Sequence, residues 1–280
     1  METVDLTAGT IEYREAGDPD GPPVVFTHGL LMNDHQWDLV LPLLPSNFRY
    51  LLPVLPLGGH RIPMNPDADL TMPGMVGVLS EFLQALDLQD TTIVLSDWGG
   101  PLFLPELRTG ERVSRLVICP AEAFDNFPPG FPGKMAVMAA TVPGGITFAL
   151  KQFRNRILRR TPMVLGLMAK KPIPDDIITA WTDPGLASAA VRRDVVAYGK
   201  GTTYNKATLI AATEKLREFT GPTLVLWAPE TNVMRRDHGR RLADLAPKGK
   251  LVEVLDAYVL IMLDQPERTA ELITDFLQST

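Results

Sequence analysis

Thr91-Thr92-Ile93-Val94-Leu95-Ser96-Asp97-Trp98-Gly99-Gly100 is the stretch that decides the fold. Its first five residues are β-branched or aliphatic without polar alternation, the pattern of a strand covered on both faces. The strand runs directly into a carboxylate, a tryptophan and two glycines, with helix-compatible residues beyond. A sharp strand-to-helix bend forces unusual dihedrals on its central residue, so small residues must flank it. Centring the bend on Asp97 places Gly99 two residues later and Gly100 behind it. Centring it on Ser96 leaves Val94 and Trp98 at the flanks, which is sterically worse. Asp97 is therefore the candidate reactive residue and Ser96 the second choice. The plain alternative is that Asp97 is a turn residue or a helix N-cap.

Outward from this stretch, apolar runs alternate with helical patterns. VVFTHG (24–29), YLLPVLP (50–56), RLVICPA (115–121), TLVLWAP (223–229) and LVEVLDAY (251–258) read as further strands. MVGVLSEFLQALDL (75–88) and RTAELITDFLQ (268–278) read as helices with one apolar stripe. Such interleaving predicts an α/β fold, a mostly parallel central sheet flanked by helices. The rhythm breaks between 121 and 223. There a Pro/Gly-rich hinge, FDNFPPGFPG (124–133), leads into helical pieces, KQFRNRILRR (151–160) and PDDIITAWT (174–182). A structureless loop of that length is improbable in a compact domain. The expected organisation is a core domain of 1–124 and 216–280 with an inserted helical cap of 125–215; the alternative is that these helices only extend the core.

Composition bounds the partners. The 280 residues are 45% hydrophobic and 21% charged, enough for one large core. The net charge of −6 provides no basic excess for nucleic-acid binding. No uncharged apolar run approaches membrane-spanning length, and the N-terminus lacks a signal-peptide pattern. Cys119 is the single cysteine, so no disulfide forms within the chain. These features lead to the expectation of a soluble, cytoplasmic monomer or homodimer acting on a small-molecule substrate, with no nucleic-acid or membrane partner. No GxGxxG, Walker, HExxH or CxxC pattern occurs, so no cofactor or metal is expected.

A carboxylate at such a bend attacks carbon and forms an ester; toward a carboxylic ester it would form an unhelpful anhydride. Its natural targets carry a halide or an epoxide oxygen. At the end of the strand 24–29, Thr27-His28-Gly29-Leu30 places the Leu30 N–H at the oxyanion or leaving-group site, with the Trp98 N–H as the second donor. His28 reads as a structural residue fixing this turn.

With these motifs the chain resembles the α/β-hydrolase superfamily across nearly its whole length. SDWGG is similar to the elbow of haloalkane dehalogenases and epoxide hydrolases, and LDAYVLIMLDQPERTAELITDFL (255–277) to the superfamily's ending around the catalytic histidine. The resemblance implies that the Trp98 indole N–H holds a departing halide. It implies Tyr198 and Tyr204 as cap residues able to contact substrate. The second halide donor, often asparagine after HG, is here Leu30, and the HGxP of epoxide hydrolases reads HGLL.

The same resemblance exposes two departures. Counting back from Asp264-Gln265-Pro266, the histidine position is Val259, and the usual acid position near Thr231 is not an acid. Glu122, after the strand 115–121, sits where some dehalogenases carry their acid, though a solvated loop carboxylate is the alternative. For a relocated base, His60 in PLGGHRIPM is the better candidate and His35 in MNDHQW the next, His35 also being a candidate substrate-binding residue. His238 reads as a surface residue. Arg154, Arg156, Arg159 and Arg160 read as a solvated helix face rather than an anion site, and Met163 and Met168 as adaptable apolar surface. Three functions remain open: a hydrolase acting through an alkyl ester, a degenerate ligand-binding protein, and a cofactor-free lyase, isomerase or cyclase using Asp97 as acid or base.

Overall fold

The computed structural model describes residues 1–98, 112–201 and 205–279. Eight strands form one sheet in the order β1-β2-β4-β3-β5-β6-β7-β8. An antiparallel hairpin of β1 (Glu2–Leu6) and β2 (Gly9–Gly17) borders β4 (Arg49–Pro53). From there on, β3 (Pro23–Phe26), β5 (Thr91–Asp97), β6 (Val113–Ala121), β7 (Thr223–Trp227) and β8 (Gly249–Glu253) run parallel. Every residue of β5 is buried, as its unbroken apolar run requires.

The six strands read from the sequence all form, the one over 91–97 at the expected bounds and the other five with shifted ends. The β1–β2 hairpin was not anticipated, because its strands alternate or are largely exposed at the sheet edge and carry charges such as Glu12, Arg14 and Glu15. Helix α1 (Met72–Ala85) begins three residues before the sequence pattern does. The Thr71 side chain accepts the Gly74 N–H and a proline stands in the first turn, which together fix the start.

Among the described residues, five α-helices lie between β6 and β7: α2 (Gly130–Thr141), α3 (Gly145–Arg154), α4 (Asp175–Ala187), α5 (Ala189–Gly201) and α6 (Asn205–Glu214). The helix expected over 151–160 instead ends at Arg154. The Asn155 carboxamide accepts the N–H groups of Ile157 and Leu158, turning the chain. Beyond β7 come α7 (Arg236–Leu245) and the terminal α8 (Pro266–Ser279). In the turn before α8, buried Asp264 accepts hydrogen bonds from the N–H groups of Lys170, Lys171 and Tyr258 at 2.8–2.9 Å. With the Leu260 N–H donating to the Met168 carbonyl, this clamps residues 168–171 to the C-terminal loop. Among the described residues, no helix is long and apolar enough to cross a membrane.

Candidate active site

The strand β5 ends on Asp97 with φ at +62°, a conformation costly for a residue bearing a Cβ. The Trp98 N–H donates to the Ser96 carbonyl at 2.7 Å, closing the bend as a three-residue turn. That bond engages the backbone N–H expected to serve as the second oxyanion donor. Leu31, in the facing loop, is also left-handed, with φ at +61°. Both strained residues line the same cavity, which is where such cost is commonly stored.

The loop after β3 is built around the Asp97 carboxyl. The Gly29 N–H donates to Gln36 Oε1, the Leu31 N–H to the Leu57 carbonyl and the Met32 N–H to the Gly29 carbonyl. The Leu30 N–H is left to the Asp97 carboxylate, which it stabilises. A Cβ on Gly29 would lie 2.1 Å from Asp97 Oδ2, so only glycine allows the carboxyl to nest there. Asp97 is 8% exposed, and burial raises its pKa to about 7, the Leu30 N–H pulling the other way. Near neutral pH this carboxyl is therefore shared between acid and carboxylate.

Pairing of Asp97 with Ala121 brings the end of β6 alongside, and the Glu122 N–H donates to the Asp97 carbonyl at 3.1 Å. A small inner chamber of about 40 Å³ is bounded by Leu30, Asp97, Trp98, Glu122 and Tyr198. It adjoins a wider apolar cavity of about 470 Å³, also lined by Asp97 and Glu122 and roofed by α2, α3 and residues 158–168. The Trp98 indole N–H is buried without a hydrogen-bond partner. It lies near the Tyr198 hydroxyl, close enough to favour the phenolate but outside hydrogen-bonding geometry. Burial first, then the charge of Glu122, pushes Tyr198 well above its ordinary pKa, so it is a neutral O–H donor. Among the described residues, Asp97, Glu122 and Tyr198 are the ionisable ones in the lining.

The other candidates lie elsewhere. Ser96 is buried and borders neither cavity. None of the four histidines does. His60, the candidate base, accepts the Gly58 N–H at Nδ1 and donates from Nε2 to Asp194 at 3.2 Å, so both ring nitrogens are occupied tying α5 to the loop after β4. His35 sits half-exposed with its Nδ1 2.6 Å from Asp38, beside Arg14, and does not reach substrate space. His28 is closed at both nitrogens, by the Gly29 carbonyl and the Leu55 N–H, and burial lowers its pKa to about 4. His238 is fully buried rather than on the surface: α7 turns His238, Gly239, Leu242 and Leu245 inward, and the imidazole meets the Phe124 ring edge-on at 4.9 Å. Burial lowers its pKa to about 4 as well. Val259 is fully buried in the loop after β8, and Thr231 is buried with its hydroxyl accepting the Val233 N–H. Arg154 bonds Thr182 and Asp183, and Arg156 and Arg159 pair with Asp175, so these arginines pin α4. Tyr204, Gly99 and Gly100 lie outside the described residues.

Asp194 was missed by sequence reasoning. It accepts from His60, the Met64 N–H and Arg193; burial alone would raise its pKa, but these bonds hold it below the usual range. Its signal was an acid inside the apolar stripe Val191, Val195, Tyr198 of α5.

Residues 24–272 match the alpha/beta hydrolase family. The chain belongs to this family. The family's fold accounts for the strand order, and similar structures agree. Haloalkane dehalogenase DbeA from Bradyrhizobium elkani superposes with a TM-score of 0.80 at 17% identity, over 99% of this chain and 97% of that one. A meta-cleavage product hydrolase, CumD, reaches 0.76 at 18% identity, over 100% and 98%. Among curated relatives, a haloalkane dehalogenase of Mesorhizobium japonicum is 33% identical over 129 residues, 44% of this chain and 41% of the relative. A haloalkane dehalogenase of Mycobacterium marinum is 25% identical, over 47% of this chain and half of its own length. Haloalkane dehalogenase 2 of Mycobacterium bovis is 24% identical, over 97% of this chain and 92% of the relative. Alpha/beta hydrolases of this dehalogenase-like kind are thus similar to the chain at low identity.

Proposed function

We propose that the protein uses the Asp97 carboxylate as a nucleophile toward small apolar molecules carrying a carbon–halogen bond or an epoxide. The observation that carries this reading is the Asp97 carboxyl, presented by a strained bend at the floor of an apolar cavity beside a buried indole N–H without a partner. A carboxylate oxygen bonds to carbon as the carbon–halogen bond breaks, and the halide leaves with its electron pair toward the Trp98 N–H. With an epoxide the ring C–O bond breaks instead, and the alkoxide takes the Tyr198 proton. Cleavage of the resulting ester needs water to attack its carbonyl and lose a proton. Val259 occupies the position where the family resemblance places histidine, so Glu122, the other carboxylate among the described lining residues, is the group to receive that proton.

The absence of a lining histidine supports a second reading, in which the ester persists and the protein acts as a trap or a ligand-binding member of the family. Losing a triad member typically costs about 10⁴–10⁶ in turnover. Intact mass after incubation with alkyl bromides and epoxides separates the readings. Halide or diol release over many turnovers supports hydrolysis; one lasting adduct, mapped to Asp97 and absent in Asp97→Asn, supports the trap. Neither product nor adduct across a broad panel would remove Asp97 as nucleophile.

A further inference from the structure

The roof of the cavity carries an unusual surface. Between Asp125 and Asp175 the chain has eight lysines and arginines and no acidic residue, within a protein of net charge −6. Arg154, Arg156, Arg159 and Lys170 are spent in ion pairs. Exposed Lys134, Lys151, Arg160 and Lys171 enter no ion pair among the described residues. The same segment holds most of the large exposed apolar side chains. Met138, Val142, Phe148, Leu158 and Met163 are 40–66% exposed and also line the 470 Å³ cavity, so they form its rim. Ile157, 81% exposed, stands next to them.

We infer that this rim is a surface that seats on an anionic lipid bilayer, with the cavity mouth facing the membrane. Exposed apolar side chains carried on the same segment as exposed cations match the interfacial zone, where hydrocarbon-facing groups enter and lysines and arginines meet headgroup phosphates. The occupant follows from charge. A second copy packed by two-fold symmetry would set these cations against their own equivalents, and a neutral apolar partner would leave them unanswered. An anionic surface satisfies both at once. The docking needs no span, and it replaces the sequence-based expectation of no membrane partner. It also stands apart from the chemistry at Asp97, since seating the rim does not require the carboxylate to react. Its consequence for any substrate is direct entry from the lipid phase into an apolar cavity.

Co-sedimentation of the whole protein with vesicles tests this. Vesicles of equal parts phosphatidylcholine and phosphatidylserine should bind it, phosphatidylcholine alone much less, and added salt should weaken binding. Lys134→Glu with Lys151→Glu should lower affinity about thirtyfold or more, and Phe148→Asp about tenfold or more. Lys248→Glu, an exposed change just before β8, and Asp97→Asn should bind like wild type. Thermal melts confirm that each variant is folded. Equal binding to neutral and anionic vesicles, undiminished binding by the rim variants, or a dimer lost in Phe148→Asp without vesicle binding would each overturn the inference.

Discussion

Replacing Asp97 by asparagine should stabilise this protein, and by an amount that grows with pH. The buried carboxyl has a folded pKa of about 7 against an ordinary value of 3.8. Its folded pKa is raised, so folding favours the protonated form. That contribution is fully present below pH 3.8 and is lost as pH rises through 7. Each unit is worth about 1.4 kcal/mol, so the wild type forfeits about 2 kcal/mol by about pH 5 and about 4 kcal/mol by about pH 8. Asparagine keeps the shape and an acceptor for the Leu30 N–H but cannot ionise. Other titrating groups affect both proteins alike and cancel in the difference. Urea unfolding of wild type and Asp97→Asn across this range should show the gap widening by about 2–3 kcal/mol. A constant gap, or a variant less stable at every pH by the same amount, would refute the claim that the site strips water from this carboxyl.

Other predictions follow from the same geometry. Adduct formation with an alkyl bromide, timed by mass spectrometry, should accelerate as pH rises through about 7, because only the ionised carboxyl is nucleophilic. Gly29→Ala should abolish the adduct and cost about 1–3 kcal/mol in urea unfolding, since the new methyl collides with Asp97 Oδ2. Asp264→Asn should cost about 2–4 kcal/mol in the same measurement and expose 163–171 to proteolysis, because an amide has one acceptor oxygen for three N–H donors. Asp194→Asn should lower the melting temperature yet leave the Asp97 adduct intact; loss of the adduct in a folded variant would show that His60 and Asp194 act on the chemistry.

The sheet was legible because β5, β6 and β7 each contain an unbroken apolar run, a signal that needs no partner to be recognised. The bend at Asp97 was legible for a similar local reason, the glycines at fixed offsets from a buried strand. What escaped was long-range. Nothing near His60 announces that Asp194, 134 residues away, will claim its Nε2. His35 likewise was judged by its place after HG, while its partner Asp38 draws it to the surface. His238 was legible and misread: its stripe with Leu242 and Leu245 has helical period, but the flanking arginines obscured it. The roles of Glu122 and Tyr198 depend on β6 pairing with β5 and on α5 folding back, which no short window contains.

The clamp at Asp264 decides where the roof can breathe. Residues 168–171 are bolted to the C-terminal loop, and α5 is fastened below by Asp194 and Arg193 on the Met64 backbone. Helix α3 is tied through Arg154 to Thr182 and Asp183 of α4, but among the described residues neither α2 nor α3 has a side-chain hydrogen bond to the elements around the sheet, so opening fluctuations concentrate there, at Met138 and Phe148. Guests too bulky for the resting doorway then enter only as often as these two helices swing, and their capture rate becomes a property of helix motion instead of the reactivity of any acid.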